Sequence, residues 1–406
     1  MKAVLSPAVF EQSKISASAI DIASSALQSC VHCGMCNATC PTFQLLGEEN
    51  DGPRGRIYLI KQVLEGNPVS ESTHKHLDRC LTCLNCETTC PAGVPYSKLL
   101  DIGRQIVEEK TGRSLKEKVV RKLLRIVLPY NNRFAPLLAL GRVFKPLLPN
   151  KIKTKIPRKV ATGNLPITQH KRRMIVLDGC VQPSLSPDIN SATSRVLHKL
   201  GISLITQEKA GCCGAVSQHL SAEEEALIFM KKNIDAWWPE IESGAEAIVM
   251  TASGCGAMVK EYAYHLRDDT EYANKAKRVS ELCKDISEII ANEDLSALSI
   301  EGKEKISWHP PCTLQHGQQI NGVVENILIE CGYDLLAVND QHLCCGSAGT
   351  YSILQPEISQ QLQANKIENL TKHKPEMIVT ANIGCQTHLQ EVSKIPVIHW
   401  IHLLDR

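Results

Sequence analysis

The sequence has no run of about 18 uncharged apolar residues, so no stretch of it reads as a membrane-spanning helix. Its first twenty residues, MKAVLSPAVFEQSKISASAI, lack the form of a secretory signal, because Pro7 breaks the apolar stretch and Glu11 soon follows. The expected setting is therefore a reducing, cytoplasmic one, in which clustered cysteines serve as metal or redox ligands rather than disulfides. A G-x-G-x-x-G turn between a strand and a helix is also missing, so no FAD or NAD site is expected on this chain. Basic residues are not interleaved with aromatics, which argues against a nucleic-acid partner. What remains is a chain of 406 residues, 43% hydrophobic, with material for two to four ordered domains.

Among its residues are 18 cysteines, and they are grouped. Cys30, Cys33, Cys36 and Cys40 form one run, and Cys80, Cys83, Cys86 and Cys90 repeat it 50 residues later. Both read C-x2-C-x2-C-x3-C-P, ending at Pro41 and Pro91. This is the spacing with which bacterial two-cluster ferredoxins hold [4Fe-4S] cubanes on soft thiolate ligands. In such runs the fourth cysteine crosses to the other cluster. The expected ligand sets are thus Cys30, Cys33, Cys36 and Cys90 for one cluster, and Cys80, Cys83, Cys86 and Cys40 for the other. Structural zinc is the competing reading, but zinc sites use separated C-x-x-C pairs rather than two full runs with trailing prolines. Two clusters tied together in this way make an electron relay. The intervening GPRGRIYLIKQVLEG is read as a turn at Gly52-Pro53 and an amphipathic helix. Its Arg54 and Arg56 are candidates to offset cluster charge and raise the potential.

No cysteine occurs between Cys90 and Cys180, and the intervening stretch is basic. From Lys98 to Lys159 there are 17 Lys/Arg against four Asp/Glu, a net of +13 within a chain of net +2. Leu115, Val119, Leu123 and Ile126 recur there at helical spacing. Prolines at 129, 136, 146, 149 and 157 suggest a looser stretch beyond. This connector is a solvated basic face, a docking surface for an acidic partner, or a peripheral membrane contact, with partner or membrane-surface docking favoured.

The remainder is an internal repeat. Cys180 is followed by Cys212-Cys213-Gly214 and then Cys255, and Cys312 by Cys344-Cys345-Gly346 and then Cys385, with a spacing of 32 residues to the pair in both halves. IVMTASGC ends at Cys255 and MIVTANIGC at Cys385, so two homologous lobes are expected. In the first lobe MIVLDG, ISLIT and AIVMT read as strands, with helices over NSATSRVLHKLG and SAEEEALIFMKKNIDAWW. In the second, LLAV and MIVTA read as strands and 323–331 as a helix. Such alternation suggests parallel sheets covered by helices, with the cysteines at the strand ends where α/β sheets place ligands. Glycine after each pair permits a sharp turn or close backbone approach. Cys180, Cys212, Cys213 and Cys255, and likewise Cys312, Cys344, Cys345 and Cys385, are candidate metal ligands or redox dithiols. Cys283 and Cys331 are read as buried thiols, and Trp237 and Trp238 as lying at a helix end. His309, His316, His342 and His388 stand near the second set, where a ligand or proton-shuttle role is open to one of them.

The repeated Cx31CCG…C pattern resembles the cysteine-rich CCG domain of heterodisulfide reductases and of iron–sulfur subunits of flavin-linked 2-hydroxyacid dehydrogenases. The fused order resembles the glycolate oxidase iron–sulfur subunit family across essentially the whole chain, most closely in DGPRGRIYLIKQVLEGN, TASGCGA, PCTLQH and LCCGSAGTY. Lactate-oxidation and anaerobic glycerol-3-phosphate dehydrogenase subunits are similar but less exact. The resemblance implies an α+β multidomain chain. A helical two-[4Fe-4S] ferredoxin-like domain (1–110) and a basic helical connector (111–170) precede two homologous α/β CCG lobes (171–300 and 301–406). It implies a relay of electrons from FAD-containing partner subunits, which oxidise glycolate to glyoxylate, toward quinone. A disulfide or quinone reductase working at a CCG centre is the alternative. The fullest CCG pattern ends in C-x-x-C and holds a noncubane cluster on five cysteines. Here Ala252 and Asn382 stand where the extra cysteine would be, leaving four per lobe.

Overall fold

The computed structural model describes residues 5–406 except 8, 10–12, 14, 150–152, 154 and 299–302. Its contacts group into two compact units, residues 1–122 with 342–362, and residues 123–341 with 363–406.

The first unit is helical. Helices Ala17–Ser29, Pro53–Leu64 and Tyr96–Thr111 bury an apolar stripe each, and Ala23, Leu27, Ile60, Leu64, Leu99 and Ile106 are fully enclosed. Ser16 caps the first helix by accepting from the Ala19 N–H, and Pro53 begins the second where its missing N–H costs nothing. The second and third helices cross closely at Gly103, where a Cβ would come within 2.6 Å of Ile60 Cγ1. The two cysteine runs share one backbone form. His32 and Gly34 in the first, and Thr82 and Leu84 in the second, take positive φ, and short helices Met35–Ala38 and Asn85–Thr89 follow.

The second unit holds the repeat as two four-stranded parallel sheets. Strands β1 Arg172–Val176, β2 Ile202–Thr206, β3 Ile248–Met250 and β4 Cys283–Asp285 lie in the order β2-β1-β3-β4. Strands β5 Lys305–His309, β6 Asp334–Leu335, β7 Met377–Thr380 and β8 Val397–His399 lie in the order β6-β5-β7-β8. Identical order and parallel pairing throughout are what a duplicated α/β lobe requires. One core cluster joins them, with Met174, Val249, Trp308 and Trp400 among its members. Backbone bonding also crosses between the lobes, from Ser253 N–H to the Ala381 carbonyl at 3.2 Å.

Some local readings need correction. LLAV contributes only Leu335 to the two-residue β6, while β4, β5 and β8 are strands not anticipated from the sequence. The helix over 223–242 runs through Pro239, so Trp237 and Trp238 are not its end. Trp237 is fully buried and Trp238 Nε1 donates to Glu242 at 2.8 Å. The proline-marked stretch after Leu115–Val127 is loose only in part, since Asn131–Phe144 is a helix despite Pro136, whereas 157–170 form no helix or strand. Neither of these two helices buries a single residue.

Candidate iron–sulfur centres

The two N-terminal runs fold so that their fourth cysteines are exchanged. Cys30, Cys33 and Cys36 line one cavity with Cys90, while Cys80 and Cys83 line another with Cys40; Cys86 borders both. Burial pushes the Cys36 thiol up to about 11, and the nearby sulfurs of Cys30, Cys33 and Cys90 push it further in the same sense. Cys86 is likewise raised by burial and then by Cys83, Cys80 and Cys40. Buried thiols that oppose each other's ionisation are relieved by a shared cationic centre. With all-sulfur donor sets in two small cavities, the residues fit thiolate-ligated iron.

The charge around the two cavities differs. Arg54 is partly exposed and bonded to Glu49 at 2.6 Å. Arg56 is 1% exposed. Its Nη1 lies 3.9 Å from Cys40 Sγ, its Nη2 donates to Thr42 Oγ1 at 3.1 Å and its Nε to the His76 carbonyl at 2.8 Å. Burial works against its charge, but Cys80, Tyr96, Cys40 and Asp51 outweigh it and hold it protonated. Asp51 is fully buried and is also met by His76 Nδ1 at 2.9 Å and Arg79 Nη1 at 2.7 Å. Burial would raise Cys80, yet Arg56 and Arg104, the Thr82 N–H and the Tyr96 hydroxyl bring its thiol below the usual value. The second cavity is therefore the more electropositive.

The first repeat gathers its four cysteines. Cys180 and Cys255 follow the C-terminal ends of β1 and β3, and Cys212-Cys213 lies beyond β2. Cys212 is hydrogen-bonded to Cys180 and Cys213, and Cys213 to Cys255. Hydrogen bonds from Cys212 and Cys255 lower Cys213, while contact with Cys180 and then Cys213 raises Cys212, and contact with Cys213 raises Cys255. Asn233 and Tyr262 clamp the pair from behind, donating to the carbonyls of Cys212 and Cys213 at 2.9 Å each and bonding each other at 3.0 Å. Neither clamp was identified from the sequence; Asn233 lies within SAEEEALIFMKKNIDAWW, which was read only as a helix. Cys283 is buried as expected and donates to the carbonyl of Gly256, next to Cys255, at 3.8 Å.

In the second repeat Cys312 and Cys385 belong to the second compact unit, beyond β5 and β7, and Cys344 and Cys345 to the first. The pair has the same local form in both repeats. The Gly214 N–H reaches Cys212 Sγ, and the Gly346 N–H reaches Cys344 Sγ, at 3.4 Å in each case. Both glycines take positive φ, +96° and +88°, and a Cβ on Gly346 would come within 2.5 Å of the Ser359 carbonyl. Only glycine suits both demands. Asn382 occupies the place of the extra cysteine and donates to Cys385 Sγ at 3.6 Å.

Within the first unit, the segment carrying Cys344 and Cys345 is tied to the second cysteine run. The Tyr351 hydroxyl donates to the Arg79 carbonyl at 2.9 Å. Asn85 Nδ2 donates to the carbonyls of Thr39 at 3.0 Å and His342 at 3.2 Å, so one side chain beside Cys86 braces three loops. Cys331 caps the helix Val323–Glu330 as read, with Gly332 at φ +88°.

Comparison with known proteins agrees with this layout. The 4Fe-4S dicluster domain family matches residues 26–94, and the cysteine-rich domain family matches 174–260 and again 306–390. The glycolate oxidase iron-sulfur subunit of Escherichia coli (strain K12) is 56% identical over 385 residues, 95% of either chain. The probable glycolate oxidase iron-sulfur subunit of Bacillus subtilis (strain 168) is 28% identical over 390 residues, 88% of this chain and 87% of its own. Lactate utilization protein A of Geobacillus thermodenitrificans is 27% identical, but over 51% of this chain.

Proposed function

The chain belongs to the family of glycolate oxidase iron–sulfur subunits, and we propose that its two N-terminal centres relay electrons from an FAD-bearing partner that oxidises glycolate to glyoxylate, toward quinone. It is an iron–sulfur electron-transfer subunit of an oxidoreductase complex. Bound [4Fe-4S] clusters supply one-electron storage. The crossed sets Cys30, Cys33, Cys36, Cys90 and Cys80, Cys83, Cys86, Cys40 would hold them. The four sulfurs of the first repeat, and by duplication those of the second, are the proposed ligands of further iron–sulfur centres. The observation that carries the relay reading is that Cys90 lines the cavity of Cys30, Cys33 and Cys36 while Cys40 lines that of Cys80 and Cys83, an arrangement that would tie two centres into one unit. This chain's residues would fix the centres and set their electrostatics; the hydride chemistry falls to the partner.

Glycolate is favoured over lactate because the glycolate oxidase relatives match along nearly the full chain, and the lactate relative along half of it. The test is reconstitution: membranes lacking only this chain are expected to lose glycolate-dependent quinone reduction by at least tenfold and regain it on adding the holoprotein. Flavoprotein subunits that keep full glycolate–quinone turnover without this chain would refute the reading.

Among the described residues no helix is long and apolar enough to cross a membrane. The docking surface we propose is the connector, placed on the inner face of the cell membrane. Leu115, Val119, Leu123 and Ile126 stand exposed on one helix, between exposed Lys116, Lys118 and Lys122. An apolar stripe flanked by lysines suits an anionic lipid surface, each lysine near it contributing about 1 kcal/mol. The holoprotein is expected to sediment with phosphatidylglycerol-containing vesicles, and a Val119→Glu/Leu123→Glu variant to stay in the supernatant with its iron intact. Equal sedimentation of the two would discard the surface.

A further inference from the structure

His76 lies on the helix Glu71–Asp78 and is 4% exposed. Its ring stands between two carboxylates. Nδ1 meets Asp51 Oδ1 at 2.9 Å, and Nε2 faces Glu48 Oε1 at 3.3 Å. A neutral imidazole carries one N–H and can donate to only one of them. Asp51 is the closer and is fully buried, so the N–H belongs there and the Nε2 lone pair is left against a carboxylate oxygen. A second proton, on Nε2, turns that opposed pair into an ion pair. The three groups lie close enough to share a cation. Two guanidiniums already meet Asp51, Arg79 Nη1 at 2.7 Å and Arg56 Nη2 at 3.7 Å, so the cation that suits this site is a proton. The Glu48 side chain is 51% exposed and opens Nε2 to solvent.

Asp51 also leads to the second cysteine set. Arg56, which meets it, has Nη1 3.9 Å from Cys40 Sγ and donates through Nε to the His76 carbonyl at 2.8 Å. Ring and sulfur are thus joined through one carboxylate and one guanidinium. The other charges on and around the helix engage other groups. Its own Asp78 pairs with Arg113 and Arg121, and Lys75 stands one residue before His76. From Tyr96–Thr111, which packs against it, Arg104 donates to the Leu77 and Cys80 carbonyls at 2.8 Å each, and Glu108 meets His74 Nε2 at 3.3 Å.

We propose that His76 takes a proton from solvent onto Nε2 when the second cluster gains an electron, and returns it when the electron leaves. One electron and one proton arrive together, the electron from the partner's reduced flavin, and Nε2–H is the one bond formed. The inference rests on the reading that Cys80, Cys83, Cys86 and Cys40 hold a cluster. It does not depend on which substrate the complex oxidises. The added electron favours the imidazolium, and by linkage the imidazolium favours the reduced cluster to the same degree. Unit charges about 10 Å apart at an effective dielectric near 20 shift such an equilibrium about tenfold, which for one electron is about 59 mV.

The test is an EPR-monitored redox titration of the full-length holoprotein, repeated between about pH 5 and pH 8, where imidazoles titrate. The second cluster is identified by the signal that Cys83→Ala removes. Its potential is expected to fall by about 59 mV in total as pH rises. His76→Gln, whose amide can still donate to Asp51, should flatten the profile, and His74→Gln on the same helix should leave it. Glu48→Gln alters an exposed side chain and should move the fall to lower pH, because the imidazolium loses an opposite charge. That variant decides the case if His76→Gln does not load iron. A flat parent profile, a fall that survives His76→Gln, or an unmoved fall in Glu48→Gln overturns the proposal. Absence of the second signal from the parent protein would refute the cluster reading itself, and the proposal with it.

Discussion

Replacing Cys90 by alanine is expected to remove the cluster of the first cysteine run, not the run in which Cys90 lies. Cys90 lines the cavity of Cys30, Cys33 and Cys36, and adds to the field that raises Cys36. Cys33→Ala and Cys90→Ala should therefore leave the same residual EPR spectrum, and Cys83→Ala and Cys40→Ala should share the other. Each variant should lose about half of the iron of the ferredoxin-type pair, because an open ligand position exposes a cubane to water and oxidant. Sequential pairing, in which Cys90 and Cys83 variants share a spectrum, would sink the crossed assignment. The outcome bears on the relay directly, since uncrossed runs are not locked to one another by their own ligands.

The cysteine spacings were open to reading because they are local: three sulfurs within seven residues must serve one loop, and a 32-residue repeat needs no tertiary knowledge. The glycine of each CCG was readable for the same reason. Tertiary partners were not. Asn85 braces loops at Thr39 and His342, the latter 257 residues away, and Asn233 and Tyr262 meet behind a cysteine pair from different helices. A buried polar residue in a helix has no local signature that tells clamp from cap. The strands missed were short. Cys283–Asp285 has a buried-exposed-buried pattern with Lys284 in the middle, and pairs only with β3 at the edge of its sheet. Parallel pairing, not an apolar run, defines it. Pro136 pointed to a loop, but a single forgone backbone bond did not end the helix Asn131–Phe144. The strand ends did predict where Cys180, Cys255 and Cys385 fall, because side chains beyond β1, β3 and β7 have no sheet left to pack on; Cys312 follows β5, which was not foreseen.

Replacing Arg56 by methionine is expected to lower the midpoint potential of the cluster at Cys80, Cys83, Cys86 and Cys40 by on the order of 100 mV. A unit charge 4 Å from another is worth about 4 kcal/mol at an effective dielectric near 20. Sharing the added electron over a cluster weakens that by roughly half, and each tenfold change in a one-electron equilibrium is about 59 mV. The guanidinium lies 3.9 Å from Cys40 Sγ and is enclosed, so water screens it little. Methionine replaces the apolar stem of the side chain, and Asp51 would retain Arg79 and His76 as partners, which limits the loss of stability. Arg56→Lys keeps the charge but not the fork that reaches Thr42 and His76, and should shift the potential by a few tens of mV at most. Arg54→Met is the control: its side chain is 37% exposed and already paired with Glu49, so solvent and its partner blunt its field at the first run. EPR-monitored redox titration of the three variants separates these cases. Equal shifts from Arg54 and Arg56, or none from Arg56, would remove the electrostatic asymmetry. If the asymmetry holds, the second cluster is the one where an electron rests. It is also the cluster whose loop, through Tyr351 and Asn85, is bonded to the segment carrying Cys344 and Cys345. The direction of flow within the dicluster unit would then be set by one buried guanidinium, toward the cluster whose loop makes those bonds.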